Sequence, residues 1–270
     1  MVGRLVLCAT PIGNLGDVSE RLTGTLRNVD VVYAEDTRRT ATLLAHIGAS
    51  PEVRSFFIGN ENVRAAEIER RIEAGETVAL VTDAGTPSVA DPGVVAVRAA
   101  RRVGGIVSVI PGPSAVTAAL AVSGFGGDRF TFEGFLPRKG ADRRRRLEAI
   151  AAEDRTVVWF SSPRRVVADL GDLSVHTGPA RQMCVARELT KQFEEVWWGT
   201  VVEAIARWTE IDPRGEFTIV LEPGVREPVT LDAAVTMAQE LVTEGSSRSE
   251  AARAVAHETG LARRSIYEKI

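Results

Sequence analysis

The sequence predicts an α/β fold with two α/β domains followed by a short helical segment. Short apolar runs alternate with amphipathic stretches up to residue 222, which is typical of βαβ units around largely parallel sheets. Pro111-Gly112-Pro113 interrupts that pattern, because proline blocks both helix formation and strand pairing. A linker at Pro223-Gly224 and Glu227-Pro228 then precedes residues with helical periodicity alone. We therefore expect domains over 1–112 and 113–224 and a helical tail over 229–270.

The first domain begins with a buried strand at 4–9 and then alternates helices with strands. Its helices carry apolar residues at helical spacing, as Val18, Leu22 and Leu26 illustrate. Gly75 and Gly104 follow two of the predicted helices, at the position where glycine favours helix termination. The predicted order is helix 18–28, strand 29–34, helix 37–47, helix 62–74, strand 77–82, helix 93–103 and strand 106–110.

The second domain is expected to have more antiparallel character, because two strand patterns follow one another without a helix between them. It begins with a helix of small residues at 115–123, for which Ser114 is the expected N-cap. The predicted order continues with strand 130–133, helix 143–152, strand 156–160, helix 163–170, strands 182–186 and 193–199, helix 201–208 and strand 217–222.

The tail is predicted to be helical throughout 231–270. Ser249 is the expected N-cap of a helix that Gly260 ends, and a second helix then carries Arg263, Arg264 and Tyr267. Two helices joined by a short glycine turn resemble a helix-turn-helix. A small helical cap packed on a dimer is the alternative interpretation.

Composition and the spacing of reactive residues exclude several classes of protein. The 270 residues are 44% hydrophobic and 26% charged with a net charge of −3, as in an ordinary globular protein. No apolar run reaches the roughly 20 residues of a membrane span, so we expect a soluble, cytoplasmic protein. Cys8 and Cys184 lie in apolar runs and are expected to be buried, reduced thiols. The three histidines lack metal-ligand spacing, and neither a Rossmann fingerprint nor a P-loop is present.

Candidate ligand-binding segments follow the first, second and third predicted strands of the first domain, where ligands bind in open parallel sheets. Residues 10–17 and 83–93 are rich in glycine and proline, which let the backbone approach a ligand and stiffen a loop. Between them in the chain, Glu35 and Asp36 are followed by Arg38 and Arg39. These four residues are consistent with a general base beside phosphate-binding arginines, or with a salt-bridged helix start. The two loops are also consistent with ordinary turns.

A basic segment at 137–146 is the clearest electrostatic signal in the sequence. It contains Arg138, Lys139, Arg143, Arg144, Arg145 and Arg146 against the single acid Asp142. Arginines cluster where proteins contact phosphates, and at a helix start they oppose the helix dipole. We interpret the segment as an RNA contact, with a solvated helix terminus as the alternative.

Seven segments, in order, make the chain similar to the tetrapyrrole methylase superfamily, and to the branch of it that methylates ribosomal RNA. They are Thr10-Pro-Ile-Gly-Asn-Leu15, Ala34-Glu-Asp-Thr-Arg38, Asp83-Ala-Gly-Thr-Pro87 with Asp91-Pro-Gly93, Pro111-Gly-Pro-Ser114, Glu133-Gly-Phe-Leu-Pro-Arg-Lys139, Ala186-Arg-Glu-Leu-Thr-Lys191 and Gly215-Glu-Phe-Thr-Ile-Val220. They extend over residues 4–222, and the helical tail also matches.

The resemblance implies two α/β domains of the class III methyltransferase type that hold S-adenosylmethionine in the cleft between them. It also implies a homodimer that methylates the ribose of a cytidine, position 1402, in 16S rRNA of the small ribosomal subunit. The implied cofactor residues are Pro11, Asp83, Ala84, Gly85, Pro87, Val89, Ser114, Ala115, Phe160, Leu189, Gly215 and Glu216. The candidate RNA contacts are Arg39, Arg138, Lys139, Arg143, Arg144, Arg145, Arg146 and Arg164.

For the chemistry, we expect Glu35 or Asp36 to accept the proton of the ribose hydroxyl while Arg38 orients a phosphate. Two segments depart from the family pattern: Ile58-Gly-Asn-Glu-Asn62 lacks two histidines that the family commonly has, and Ser161-Ser-Pro-Arg-Arg165 lacks one. The alternatives are methylation of a tetrapyrrole or another small molecule, and a non-catalytic nucleic-acid-binding protein.

Overall fold

The structure is a computed structural model that describes residues 2–224 and 230–270. These residues form two compact units, one ending at Pro223 and one beginning at Gly224. The first unit contains two five-stranded sheets, and the second is helical. The predicted linker residues Glu227 and Pro228 lie outside the described residues. A division of the first unit into domains at residue 112 stays a prediction, because both sheets belong to one compact unit.

The first sheet is parallel throughout, as the alternation of strands and helices predicts. Its elements are β1 (Arg4–Cys8), α1 (Glu20–Asn28), β2 (Val31–Ala34), α2 (Thr37–Ile47), β3 (Glu52–Ser55), α3 (Glu61–Glu73), β4 (Thr77–Val81), α4 (Val94–Arg102) and β5 (Ile106–Ile110). The strand order is β3-β2-β4-β1-β5, with an apolar cluster on each face. The carboxyl ends of β1, β2 and β4 therefore meet at one edge of the sheet.

The second sheet is mixed. Its elements are α5 (Ala115–Ser123), β6 (Phe130–Phe135), α6 (Gly140–Ala152), β7 (Thr156–Ser161), α7 (Val166–Thr177), β8 (Gln182–Arg187), β9 (Glu195–Thr200), α8 (Val201–Glu210) and β10 (Phe217–Leu221). The strand order is β6-β7-β10-β8-β9, with β6 parallel to β7 and the other pairs antiparallel. Ile12, in the loop after β1, packs against Val116 and Leu120 of α5, so apolar contacts join the two halves of the unit.

The tail unit contains α9 (Leu231–Thr243), α10 (Arg248–Thr259) and α11 (Arg263–Tyr267), with a small apolar core of its own. Ser247, and not Ser249 as predicted, is the N-cap of α10: its hydroxyl accepts from the Glu250 backbone amide in a capping box. The Ser249 hydroxyl instead accepts a hydrogen bond of 2.8 Å from Arg263. Gly260 ends α10 in the left-handed conformation, as predicted.

The bounds of α2, β5 and α5 agree with the sequence prediction, and the largest differences concern β3, α6 and α7. The sequence prediction missed β3, a four-residue edge strand whose charged side chains hide the apolar alternation. The helix α6 begins at Gly140, before its predicted start at 143. The helix α7 begins at Val166 and continues to Thr177, because burial of Leu170 and Leu173 outweighs the cost of about 1 kcal/mol for a glycine inside a helix.

Among the described residues, no helix combines the length and hydrophobicity that crossing a membrane requires. Within the same part of the chain, no group of three or more His, Cys, Asp or Glu residues is arranged to hold a metal ion. Cys8 and Cys184 are buried free thiols, which confirms the interpretation of the two cysteines.

Candidate functional site

A cavity of about 370 Å³ lies where the carboxyl edge of the first sheet faces β6, β7 and β10 of the second. That volume is within the range of roughly 300–1,000 Å³ that is usual for small-molecule sites. Both halves of the unit contribute to its wall. The lining residues are Ile12, Glu35, Arg39, Asp83, Ala84, Gly85, Thr86, Val89, Ala90, Asp91, Ser114, Ala115, Val116, Phe135, Phe160, Ser161, Ser162, Pro163, Gly215, Glu216, Phe217 and Thr218.

The cavity floor depends on close backbone contacts that glycine allows. Thr10 and Gly85 exchange two backbone hydrogen bonds of 2.9 and 3.0 Å, which join the loops that follow β1 and β4. On the opposite wall, Gly215 has a φ of +84°, and a Cβ there would overlap the side chain of Glu188. Glycine is therefore required at 215 both for its conformation and for space.

The loop after β4 has unusual backbone geometry where it lines the cavity. Ser88 and Ala90 have φ values of +74° and +64°, a region that non-glycine residues rarely adopt. Val89 lies between them and is 41% exposed. Hydrogen bonds from the Ser88 amide to Pro92 and from the Val89 amide to Thr86 hold the loop in this shape. Such strain is concentrated at binding sites, where the surrounding structure maintains it.

Of the four carboxylates that line the cavity, Glu35, Asp83 and Asp91 follow strands of the first sheet and lie on the same wall as Arg39. Asp83 accepts a backbone bond of 2.9 Å from Asp36 and lies 3.5 Å from Arg39 Nη1. The Asp83 amide donates a long bond of 3.4 Å to Glu35 Oε2. Burial, and then the charges of Glu35 and Asp83, raise the pKa of Asp91 to about 6. Burial also raises the pKa of Glu35. This wall of the cavity is therefore suited to a cationic group.

Of the three predicted catalytic residues, only Glu35 lines the cavity. Asp36 is the N-cap of α2, and its side chain accepts from the Arg38 backbone and guanidinium at 2.8 and 2.9 Å. The hydrogen bond from Arg38 lowers the pKa of Asp36 to about 2. The Arg38 side chain is 89% exposed, so this pair lies at the surface.

Most of the predicted cofactor residues come together in this cavity. Those that line it are Asp83, Ala84, Gly85, Val89, Ser114, Ala115, Phe160, Gly215 and Glu216. Three do not. Pro11 lines a smaller neighbouring cavity of about 90 Å³, Pro87 is buried in the loop, and Leu189 is buried in the apolar cluster with Ile12. Ser114 precedes α5 as predicted, but its side chain makes no capping hydrogen bond.

The sequence prediction missed cavity residues that flank the predicted ones. Asp91 and Phe135 both lie inside segments that carry the family resemblance, yet neither was assigned to the site. The signal for Phe135 was Gly134, because an isolated glycine inside a strand indicates a bulge. Asp91 gave a weaker signal, since an acid before a proline and a helix is also typical of an ordinary loop.

Arg143 is the exception in the predicted RNA-binding set, because its side chain is only 8% exposed. Its guanidinium contacts Asp169 at 2.9 Å and Asp172 at 2.7 Å, and it donates 2.9 Å to the Pro137 carbonyl. Arg165 donates to the same carbonyl at 3.2 Å. The run of arginines looked uniform in sequence, but Arg143 faces the interior, where a buried carboxylate neutralises it. Its interactions fix the loop that carries Arg138 and Lys139.

The other predicted RNA contacts lie at the surface. Arg144 and Arg145 are 70% and 69% exposed and have acidic neighbours on α6, while Arg146 pairs with Glu133. Arg39, at the cavity wall, is 63% exposed. Arg138, Lys139 and Arg164 are exposed, and none of them bonds to another described residue. Arg138 and Lys139 closely follow the cavity residue Phe135, and Arg164 directly follows the cavity residue Pro163.

In the tail unit, three basic residues of α10 and α11 contact other residues of the same unit. Arg263 donates to Ser249, Arg264 pairs with Glu268 at 2.7 Å, and the Arg248 guanidinium lies 5.4 Å from the centre of the Tyr267 ring. The helix-turn-helix interpretation and the helical-cap alternative both stay predictions.

Comparisons with known proteins agree with this architecture. The family model described as Tetrapyrrole (Corrin/Porphyrin) Methylases matches residues 4–205. Ribosomal RNA small subunit methyltransferase I of Synechocystis sp. is 42% identical over 270 residues, covering 99% of this chain and 97% of that protein. The protein of the same name from Thermotoga maritima is 45% identical over 220 residues, covering 82% and 98%.

Solved structures share the fold of the first unit. One is a uroporphyrin-III C-methyl transferase from Thermus thermophilus complexed with S-adenyl homocysteine. It is 19% identical and has a TM-score of 0.57, with 80% of this chain and 96% of that chain covered.

Proposed function

Because the chain belongs to the tetrapyrrole methylases and, within them, to the family of ribosomal RNA small subunit methyltransferase I, we propose that it methylates 16S rRNA. S-adenosylmethionine is the methyl donor of this reaction. The proposed acceptor is the ribose 2′-hydroxyl of the cytidine at position 1402. The observation that carries the proposal is the cavity of about 370 Å³, large enough for a cofactor, with unpartnered basic side chains beside it.

The residues of the cavity fit S-adenosylmethionine, which combines an aromatic base, a ribose, a sulfonium and an amino-acid end. Apolar side chains such as Val89 and Phe160 offer a surface for the base. The carboxylates of Asp83 and Asp91 would hold cationic groups. The predicted cofactor residues that line the cavity are the ones that we propose to bind it, and Pro11, Pro87 and Leu189 would support them from behind.

The rim of the cavity supports an RNA acceptor. Arg138, Lys139 and Arg164 are exposed and bond to no described residue, so forming a phosphate contact there breaks no existing ion pair. Arg144 and Arg145, on the neighbouring helix α6, extend the basic surface. Phosphate contacts of this kind position an RNA without reading its sequence.

The bound cofactor supplies a methyl group on a cationic sulfur, and the acceptor hydroxyl loses its proton as it takes that methyl. Glu35 is the residue that we propose to accept the proton. Its Oε2 receives only the 3.4 Å bond from Asp83, and burial raises its pKa, which makes it a stronger base than an exposed carboxylate. Asp36 is a weaker base, because Arg38 engages both of its oxygens. Asp36 would instead hold Arg38 ready for a phosphate.

We also propose a homodimer in the cytoplasm, where ribosomal subunits are available as substrate. Exposed apolar side chains on the edge strand β5 favour a protein partner: Ile106 and Val109 are 47% and 50% exposed. Light scattering of the purified protein gives its mass directly, and a monomer at micromolar concentration would contradict the dimer.

The decisive experiment is radiolabelled methyl transfer from S-adenosylmethionine. The acceptors are small ribosomal subunits from cells that lack this protein, with free 16S rRNA and a tetrapyrrole precursor in parallel. We expect label in the subunit RNA that resists alkaline cleavage at one nucleotide, because a 2′-O-methyl group removes the attacking hydroxyl. Label in the tetrapyrrole alone, or no label in any acceptor, would contradict the proposed function.

The role of Glu35 has its own test, the substitution Glu35→Gln. Loss of a general base costs on the order of 100-fold or more in rate, so kcat should fall by that amount while the affinity for S-adenosylmethionine changes little. Glu20→Gln, which removes an exposed carboxylate from the first turn of α1, is the matched control. Turnover of Glu35→Gln at the wild-type rate would remove Glu35 from this role.

A further inference from the structure

Phe135 is a large aromatic side chain that lines the cavity and is nevertheless 63% exposed. Its ring meets Phe160 with centroids 5.5 Å apart, and Phe160 in turn meets Phe132 at 5.0 Å. These three rings form a row from the apolar cluster under α5 to the open side of the cavity. The inner two are packed, whereas the outer ring keeps most of its surface in water.

A β-bulge in β6 sets the direction of this side chain. Phe132 pairs with Val158 and Phe135 pairs with Phe160, so three steps along β6 correspond to two along β7. Paired residues share a face of the sheet, and side chains alternate between faces. Without the extra residue, Phe135 would point to the opposite face. The bulge therefore places Phe135 on the cavity face, together with Phe132 and Phe160.

Gly134 makes the bulge feasible. Its φ is +61°, in the left-handed region, and no atom lies within 4 Å of where its Cβ would be. The glycine is thus needed for backbone conformation and not for space. A bulge that leaves a large aromatic ring mostly exposed to water gains little apolar burial and so has no benefit for folding. It indicates that something covers the ring in the working protein.

The residues that follow Phe135 indicate what covers it. Arg138 and Lys139 are exposed and bond to no described residue, and the Pro137 carbonyl between them and Phe135 is fixed by Arg143 and Arg165. An exposed ring beside free cations on an anchored loop is the combination that binds an unstacked nucleotide, whose base stacks while its phosphates meet the cations.

We propose that Phe135 is the stacking platform for the base of the nucleotide that is methylated. The base leaves the RNA stack and lies on the exposed face of the ring, while Arg138 and Lys139 contact the flanking phosphates. This inference rests on the proposed function and adds the residue that holds the target base. Stacking tolerates any base, so the platform provides position and affinity, and base identity is read elsewhere.

The test compares Phe135→Leu, which keeps apolar bulk and loses the aromatic face, with Phe135→Trp, which keeps a stacking surface. Small ribosomal subunits lacking the modification are the substrate. We expect Phe135→Leu to raise KM for the subunits about tenfold, the size of a lost base–aromatic stack, and Phe135→Trp to restore it. Calorimetric affinity for S-adenosylmethionine without RNA should change no more than about twofold, well below the effect of a lost stack.

Phe193→Leu is the matched control, because Phe193 is 69% exposed and does not line the cavity. A wild-type KM in Phe135→Leu would overturn the inference. A fall in cofactor affinity with unchanged KM for subunits would overturn it too, because the ring would then hold the cofactor. Absence of methyl transfer by the wild-type protein would instead refute the proposed function, so the two failures are distinguishable.

Discussion

Arg143→Met is the substitution that most directly tests how the basic segment is divided between interior and surface. The change keeps an unbranched side chain and removes the guanidinium. It leaves Asp169, whose side chain is 2% exposed, without its partner at 2.9 Å. Removing one partner of a buried ion pair costs about 3–5 kcal/mol, because the remaining charge loses its compensation. Asp169 keeps the Ser161 hydroxyl at 2.7 Å and Arg165 at 3.1 Å. We therefore expect the lower end of that range, about 3 kcal/mol.

Thermal unfolding followed by circular dichroism measures this cost. For a unit of this size, a loss of about 3 kcal/mol lowers Tm by roughly 6–12 °C. The control is Arg144→Met on the same helix, whose side chain is 70% exposed and should change stability by less than about 0.5 kcal/mol. A double-mutant cycle with Asp169→Asn should give less than the sum of the two single effects. If Arg143→Met shifts Tm no more than Arg144→Met does, Arg143 is not the stabilising partner of Asp169.

Three further outcomes are expected. Gly215→Ala should weaken S-adenosylmethionine binding and lower Tm, since its Cβ would overlap Glu188 and the φ of +84° disfavours alanine. Calorimetry measures the affinity and thermal unfolding the Tm, and wild-type values of both would contradict the cavity geometry. The affinity of the wild-type protein for S-adenosylmethionine should decline as pH falls through about 6, to which burial raises the pKa of Asp91, and Asp91→Asn should abolish that decline. Because that pKa is raised in the folded state, the charged form opposes folding, so the variant should be more stable than wild type above about pH 6; a lower Tm of the variant in that range would argue against the raised pKa of Asp91. Ser247→Ala removes the capping box with Glu250 and should destabilise α10 by about 1 kcal/mol. Amide exchange should become faster in α10 and stay unchanged in the first unit.

The bounds of α2 were predicted correctly because both ends of this helix carry a local chemical signal. Asp36 precedes α2 and accepts from the Arg38 amide, and Gly48 ends the helix in the left-handed conformation. Both are local signals, readable without knowing the rest of the fold. β3 had no such signal, because an edge strand exposes one face and its Glu52 and Arg54 read as loop residues.

In the candidate site, too, a loop with a local sequence signal was predicted, and a side-chain direction that depends on a distant residue was not. The loop from Asp83 to Asp91 was found because ligand sites follow the carboxyl ends of parallel strands. The interior direction of Arg143 was out of reach, since it depends on Asp169, a residue of a different helix that sequence spacing does not bring near. The exposure of Phe135 was not predicted, because a single extra residue in β6 reverses which face a side chain occupies and Gly134 was the local signal of it.

The position of β10 has a consequence for how the chain folds. It is the last strand of the first unit in sequence, yet it lies at the centre of the second sheet, paired with β7 on one side and β8 on the other. Until Phe217–Leu221 inserts, both neighbours have an unpaired edge on which another chain can add. Pairing across so long a sequence separation is slow. Insertion of β10 is therefore the expected late step of folding, and a chain cut before Phe217 is expected to aggregate.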